Sequence, residues 1–399
     1  MAATDRPYDI VLFGATGFAG GLTAEYLARH APAGLRWALA GRSPDKLADV
    51  RERLAALDPR LAELPLLTVD ATDEASVRAV AEQTRVLATT VGPYVLYGAA
   101  TVAACAAAGT DYVDLTGEPE FVDRMYTMHD RTAQRTGARL VHASGFDSVP
   151  HDLGVYFTVL QLPEDVPLRI AGYIRASGAI SGGTLASALL AFSRPRKNVA
   201  AARERRVLEG RVLEGRDTGP RRISAKPGRP RRDPVDGGWA LPFPSLDPQV
   251  IGRSARALAR YGPDFGYTHH VTLGHLPAAV AAPLAAAAVV GAAQVPPLRR
   301  ALSARLAPGE GPSAEKRERS WFTVTFVGEG GGRRVVTRVS GGDPAYTETA
   351  AMLAESALCL ARDELPPSAG QVTSAVAMGD ALTARLTAAG IRFEVLEAG

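Results

Sequence analysis

The chain has 399 residues, 46% hydrophobic and 22% charged. That is too long for one ordinary core, so two soluble domains are expected. Lys and Arg number 45 against 42 Asp and Glu, leaving a net charge of +3, which gives no argument for a nucleic-acid partner. Cys105 and Cys359 both sit in Ala/Leu-rich surroundings, which suits buried thiols in a reducing compartment better than a disulfide. The polar N-terminus runs straight into an apolar stretch, with no room for a signal peptide, so a cytoplasmic protein is expected.

Ile10-Val11-Leu12-Phe13 reads as a buried strand. Gly14, Gly17 and Gly20 follow, with Thr16 and Phe18 between them, and a helix starts by Leu22. Strand, glycine turn and helix are the parts of a dinucleotide site: turn N–H groups approach a pyrophosphate, and the helix N-terminus adds partial positive charge. The second strand, 36–40, ends in Gly41-Arg42-Ser43, where an NAD site would carry an acid. Arg42, Ser43 and Lys46 suit a 2′-phosphate, because guanidinium and phosphate form charge-assisted forked bonds. NADP(H) is therefore the expected cofactor. A helix over 47–57 and a third strand over 64–69 lead to Asp70, which either faces adenine or caps the next helix. That helix spans 76–84, and a fourth strand, 86–91, ends in Thr90-Val91-Gly92-Pro93. There the backbone would pass close to the nicotinamide, and Tyr94 and Tyr97 would face substrate. A helix over 99–108 closes at Gly109. A fifth strand, 112–115, ends in Thr116-Gly117-Glu118. A long helix, 121–136, precedes a sixth strand, 139–143, which ends in Gly145-Phe146-Asp147-Ser148. Six βα units predict a Rossmann-type, doubly wound parallel sheet over 1–154, with the polar clusters at the carboxyl ends of its strands.

Residues 155–343 read as a second, α+β domain. A helix continues to Leu160, a strand covers 166–177, a flexible turn 178–183 and a small-residue helix 184–193. The segment 194–234 is basic and carries a tandem repeat, Arg206-Val207-Leu208-Glu209-Gly210 and Arg211-Val212-Leu213-Glu214-Gly215. It reads as a solvated helix and loop, or as a landing patch for an acidic acyl carrier protein. It lacks the interleaved aromatics of a nucleic-acid binder. His269 and His270 are adjacent on a strand and should point to opposite faces, so no metal site is expected. Residues 276–293 are apolar and Ala-rich. They are expected to pack as a buried helix; an acyl-binding or lipid-facing surface, a subunit contact such as a homodimer, and membrane insertion remain open. Arg299, Arg300 and Arg305 follow. Strands at 320–329 and 333–340 form a hairpin that implies a mixed sheet. In 344–399, helices at 347–363 and 375–388 are expected to pack back on the first domain, before a short strand at 392–395.

Gly14 to Gly20, Val91-Gly92-Pro93-Tyr94, Tyr112 to Glu118 and Gly145 to Pro150 together resemble the saccharopine dehydrogenase-like family. Within it the chain is most similar to the trans-acting enoyl reductases of actinobacterial lipid and polyketide assembly. The resemblance implies an NADP-binding Rossmann domain and an inserted α/β domain. It points to reduction of the C=C bond of an acyl or polyketide thioester, on CoA or a carrier. Tyr94 or Tyr97 would then donate the proton, and Asp147 and Ser148 would orient substrate or the nicotinamide amide. An oxidoreductase of C=N or C=O bonds and a non-catalytic NADP-binding or lipid-associated scaffold are the alternatives.

Overall fold

The computed structural model describes residues 6–177, 187, 189–214, 221–298 and 311–399. The expected turn at 178–183, the start of the helix at 184, Gly215 and the arginines at 299, 300 and 305 lie outside them.

The first sheet contains β1 (Tyr8–Phe13), β2 (Trp37–Gly41), β3 (Leu66–Thr68), β4 (Thr84–Thr89), β5 (Asp111–Asp114) and β6 (Arg139–Val141). All pair in parallel, in the order β6-β5-β4-β1-β2-β3. Their apolar runs are covered on both faces; Ile10, Val11 and Leu12 have no exposed surface, as a parallel sheet between helices requires. The crossovers are α1 (Phe18–His30), α2 (Pro44–Leu57), α3 (Glu74–Gln83), the short α4 (Tyr94–Tyr97) with α5 (Ala99–Ala108), and α6 (Pro119–Thr136). Ser43 and Asp73 cap α2 and α3 through side-chain oxygens that accept backbone N–H groups. Gly109 (φ 70°) and Gly137 (φ 83°) end α5 and α6 in the left-handed region.

From β6 the chain enters α7 (Val149–Leu160), which lies against a second sheet. That sheet is built from β7 (Leu168–Ser177), β8 (Arg222–Pro227), β9 (Arg231–Arg232), β10 (Trp239–Pro242), β11 (Asp264–Leu273), β12 (Trp321–Gly330) and β13 (Arg333–Gly341). It is mixed: β11 runs parallel to β7 and β8, whereas β12 is antiparallel to β7 and β13. Gly154 lets α7 close on this sheet, because a Cβ there would lie 2.3 Å from Phe326 Cε2. The inserted helices are α8 (Pro195–Glu214), α9 (Asp247–Ala257), α10 (Leu276–Gln294) and α11 (Ala314–Glu318).

The C-terminal segment joins the two sheets. It comprises α12 (Thr347–Arg362), β14 (Gly370–Val372), α13 (Ser374–Ala377), α14 (Gly379–Ala388) and β15 (Arg392–Ala398). Residues 350–361 of α12 are all buried, and the helix packs on α1, β1, β4 and β5. β14 pairs in parallel with β6, so the first sheet has seven strands where six are expected from the sequence. β15 pairs with β13 at the edge of the second sheet. A single apolar cluster therefore runs from Ile10 and Leu12 through Leu153, Met352 and Leu353 to Phe322 and Phe326.

The expectation that 276–293 packs as a buried helix is overturned. In α10 only Ala279 and Ala293 are buried, while Val280 and Leu284 are 60% and 70% exposed. Its apolar residues surround the helix, so no one face selects the core. It touches the body near β10 and β11, and near its C-terminus Gln294 donates to the Phe192 carbonyl.

Candidate functional site

The strand order reverses between β1 and β4, and the crevice opens at their carboxyl ends. Gly14 has φ +95°, and a Cβ there would meet Thr90 Oγ1 at 2.7 Å and Val91 Cγ2 at 2.9 Å. Thr90 Oγ1 donates to the Gly14 carbonyl at 3.1 Å. A Cβ on Gly20 would lie 2.1 Å from that same carbonyl oxygen. Gly17 precedes α1 without a capping side chain, and the first turn holds no acid. The early N–H groups of α1 thus point out of the turn toward the crevice, which fits a pyrophosphate. Gly20→Ala tests the cradle. The clash is with backbone, so the turn must open, and NADPH affinity by fluorescence titration is expected to fall by about tenfold or more, equivalent to about 1.4 kcal/mol. Unchanged affinity would exclude this turn as the pyrophosphate site.

The 2′-side follows from β2. Thr16 sits beside Gly41, with its Cγ2 3.7 Å from where a Cβ would be. Arg42 is exposed beyond it and lies close enough to Asp70 to stabilise the Asp70 carboxylate. That carboxylate is held below its ordinary range first by the Thr72 N–H and hydroxyl. Asp70 is therefore the centre of a local turn, and Asp73 is the cap of α3. Ser43 accepts the Lys46 N–H at 3.4 Å, and Lys46 is exposed. Above α1, Phe18 contacts Tyr346 edge-on at 4.8 Å and lies under the Arg317 guanidinium at 5.5 Å. The segment after Gly311 thus closes over the glycine turn from the second domain.

At the fourth strand end Gly92-Pro93 is a cis peptide. Tyr94 does not face substrate. It is buried, and its hydroxyl donates to the Thr89 carbonyl at 3.1 Å and accepts the Leu115 N–H at 3.1 Å. Burial pushes its pKa well above the ordinary value. Tyr97 is 40% exposed, and its hydroxyl makes no hydrogen bond among the described residues. Glu118, not singled out as a site residue in the sequence, binds the Tyr94 and Val95 N–H groups and the Ser187 hydroxyl. Arg194 pairs with Glu120. These contacts pin the start of the basic segment to the crevice rim.

The end of β6 carries the most unusual carboxyl group. Asp147 Oδ2 lies over Gly117, 3.0 Å from where a Cβ would stand. The carboxyl has no hydrogen-bond partner among the described residues, and its pKa is pushed up to about 7, first by burial and then by Asp247. Its neighbours have other duties. Phe146 packs on Phe322 and His151, and the Ser148 hydroxyl donates to Asp247 at 3.2 Å. The proton of the Ser148 hydroxyl is thus already engaged by Asp247.

Behind Asp147 lies a buried polar cluster. Asp247 also accepts the Ser245 hydroxyl at 2.5 Å and stands 3.1 Å from His269 Nε2. His269 Nδ1 bonds the Tyr267 hydroxyl at 2.6 Å, and the His151 ring meets the His269 ring edge-on at 5.2 Å. His270 turns to the opposite face, onto the Tyr173 ring and the Gly172 carbonyl. No cluster of metal-ligating side chains occurs among the described residues. The turn-forming pattern Ser245-Leu246-Asp247-Pro248 marks a helix start, but nothing in the sequence brings it to His269.

The family model for the saccharopine dehydrogenase NADP binding domain matches residues 10–141. The trans-acting enoyl reductase of Mycobacterium bovis (strain BCG / Pasteur 1173P2) is 38% identical over 422 residues, covering 98% of each chain. The chain belongs to the saccharopine dehydrogenase-like family, in the branch of these trans-acting enoyl reductases. A Mycobacterium tuberculosis relative is 40% identical over 423 residues, 99% of each chain. The trans-acting enoyl reductase of Mycobacterium ulcerans is 37% identical, with 98% of each chain covered. Among solved structures, apo saccharopine dehydrogenase (L-Glu forming) from Saccharomyces cerevisiae superposes with a TM-score of 0.56 at 10% identity. It covers 97% of this chain and 99% of its own, a likeness of fold alone. This family member is an oxidoreductase with an NADP-binding domain, and the glycine cradle is where its residues fit the pyrophosphate.

Proposed function

We propose that the protein reduces the C=C bond of an enoyl thioester, with Asp147 as the proton donor. NADPH supplies a hydride to the β-carbon when bound in the crevice. The electron pair of the C=C bond then moves to the thioester oxygen as an enolate. Asp147 protonates the α-carbon, the carbonyl re-forms, and the carboxylate regains its proton from solvent. The observation that carries this reading is the Asp147 carboxyl itself: half-buried, without a hydrogen-bond partner among the described residues, and raised to about 7 at a strand end that faces the crevice. The names of the 37–38% identical relatives favour C=C over C=N or C=O reduction.

Arg42, with Lys46 beyond it, binds the 2′-phosphate. The apolar tail of the substrate and its acidic carrier approach along α8. This helix begins at the rim and exposes Arg196, Lys197, Arg203 and Arg206 beside Val199 and Val207. The exposed α10 supports an apolar contact, with a lipid surface or a second copy, for a cytoplasmic, membrane-peripheral enzyme.

The test is stopped-flow NADPH oxidation with an α,β-unsaturated acyl thioester on CoA and on an acyl carrier protein. The saturated thioester should appear by mass spectrometry, and Arg42→Ala should raise KM for NADPH far more than KM for NADH. Turnover with a keto acid plus amine, and none with the enoyl thioester, would overturn the reading.

A further inference from the structure

Two carboxyl groups, Asp147 and Asp247, lie near each other at the starts of α7 and α9, bridged through Ser148, and their surroundings are opposite. Asp247 opens α9, an eleven-residue helix, so its carboxylate sits at the positive end of the helix dipole. It accepts hydrogen bonds from Ser148 at 3.2 Å and Ser245 at 2.5 Å, and His269 stands 3.1 Å away. Burial works against its charge, but His151, His269 and Ser245 outweigh burial and hold the carboxyl below its ordinary range. Asp147, one residue before Ser148, has none of these partners. Around the pair stand His151 and Asp152 from α7, His269 and Tyr267 from β11, and Tyr94 across the crevice floor. Burial lowers the His151 pKa to about 4, so its cation steadies Asp247 only in acid, and near neutral pH the Ser148 and Ser245 hydroxyls with His269 hold the carboxylate. No arginine or lysine is among these neighbours. Neighbouring carboxyls in unlike surroundings divide into one fixed anion and one retained proton, because a charge held on one disfavours a charge on the other.

We propose that Asp247 is a positioning residue for proton delivery: it is the fixed anion of a carboxyl pair whose other member, Asp147, faces the crevice and carries the transferable proton. The inference rests on Asp147 being the donor. His269 and Ser148 clamp Asp247 from the two domains, so the anion stays in place only while the domains are closed on each other. The donor form of Asp147 is thereby tied to the assembled site.

The test uses the full chain labelled with carboxyl-¹³C aspartate. In the wild type two carboxyls of this cluster titrate above the ordinary range by NMR, Asp147 near 7 and the buried Asp152 near 6, and the Asp147 titration is the one lost in Asp147→Asn. Removing the neighbouring charge with Asp247→Asn moves that titration to lower pH by on the order of one unit. The alkaline limb of the single-turnover rate moves down with it. Asp247→Glu, which keeps the charge, restores both toward wild type. Where Asp247→Asn alone does not give a native near-UV circular dichroism spectrum, Asp247→Asn/His269→Gln removes the charge together with its partner and serves the same measurement. A folded variant that loses rate while the Asp147 titration stays in place overturns the proposal, because a merely structural role would do just that. If the wild type reduces no enoyl thioester but the titration still shifts, the reaction assignment fails and the carboxyl pair stands.

Discussion

Asp147→Asn is expected to slow single-turnover reduction of a bound enoyl thioester by about 10²–10⁴-fold, the usual contribution of a positioned general acid. NADPH affinity should be unchanged. The substitution keeps the shape of the side chain over Gly117, so the crevice is not remodelled. What is lost is a proton that can be given to carbon, since an amide does not give one up near neutral pH. The sign of the pH dependence is fixed as well. Asp147 is raised to about 7 by burial and then by Asp247, and only its protonated form donates. Wild-type rates should therefore fall as pH rises through about 7, and the Asn variant should be flat across that range. A tyrosine donor would give the opposite pattern, with Asp147→Asn near wild type and Tyr97→Phe slow. Tyr94 is poorly placed for that role, because its hydroxyl already spans Thr89 and Leu115 inside the sheet. The rate and pH profile of these variants, measured with pre-bound NADPH, separate the two schemes.

The part of this site that could be read in the sequence is the part made by consecutive residues. Gly14, Gly17 and Gly20 announce a turn because glycine spacing is a local property, and the αL caps at Gly109 and Gly137 are legible for the same reason. The opposite facing of His269 and His270 follows from strand alternation alone. Other features depend on contacts between distant segments. β14 has only three residues, too few for any periodicity, and becomes a strand because α12 delivers it to the edge of β6. Asp247 is the first residue of α9, and its pairing with Ser148 and His269 is set by the closure of the second sheet on α7. α10 misleads for a different reason. Alanine supplies no contrast between faces, so nothing in its pattern distinguishes a buried helix from an exposed one.

Asp114→Ala is expected to remove on the order of 4 kcal/mol or more of stability, enough to unfold a marginal protein. In the motif Tyr112-Val113-Asp114-Leu115-Thr116-Gly117-Glu118 the sequence places Asp114 inside the fifth strand and assigns it no role. The structure gives it one. Asp114 has no exposed surface and accepts from four donors. The Tyr112 hydroxyl is at 2.9 Å, His142 Nδ1 at 2.7 Å, the Thr116 N–H at 3.0 Å and the Ala143 N–H at 2.8 Å. Each donor left unpaired in a buried site costs roughly 1–3 kcal/mol, and the losses share one space, so they do not simply add. Ala143 is the informative partner. It is one of two non-glycine residues with positive φ among the described residues, and its N–H is tied to Asp114 just where β6 turns toward Asp147. The carboxylate thus fixes the end of β5 to the end of β6, and with them the approach of Gly117 to Asp147. Asp114→Asn keeps one acceptor oxygen but turns an amide toward some of the donors, so it should lose less stability than Ala yet still displace the two strand ends. Urea unfolding gives the first quantity, and the pH at which the Asp147 carboxyl titrates in the folded Asn variant gives the second. An Ala variant that unfolds at the wild-type urea midpoint would show that Asp114 does not hold these strand ends together.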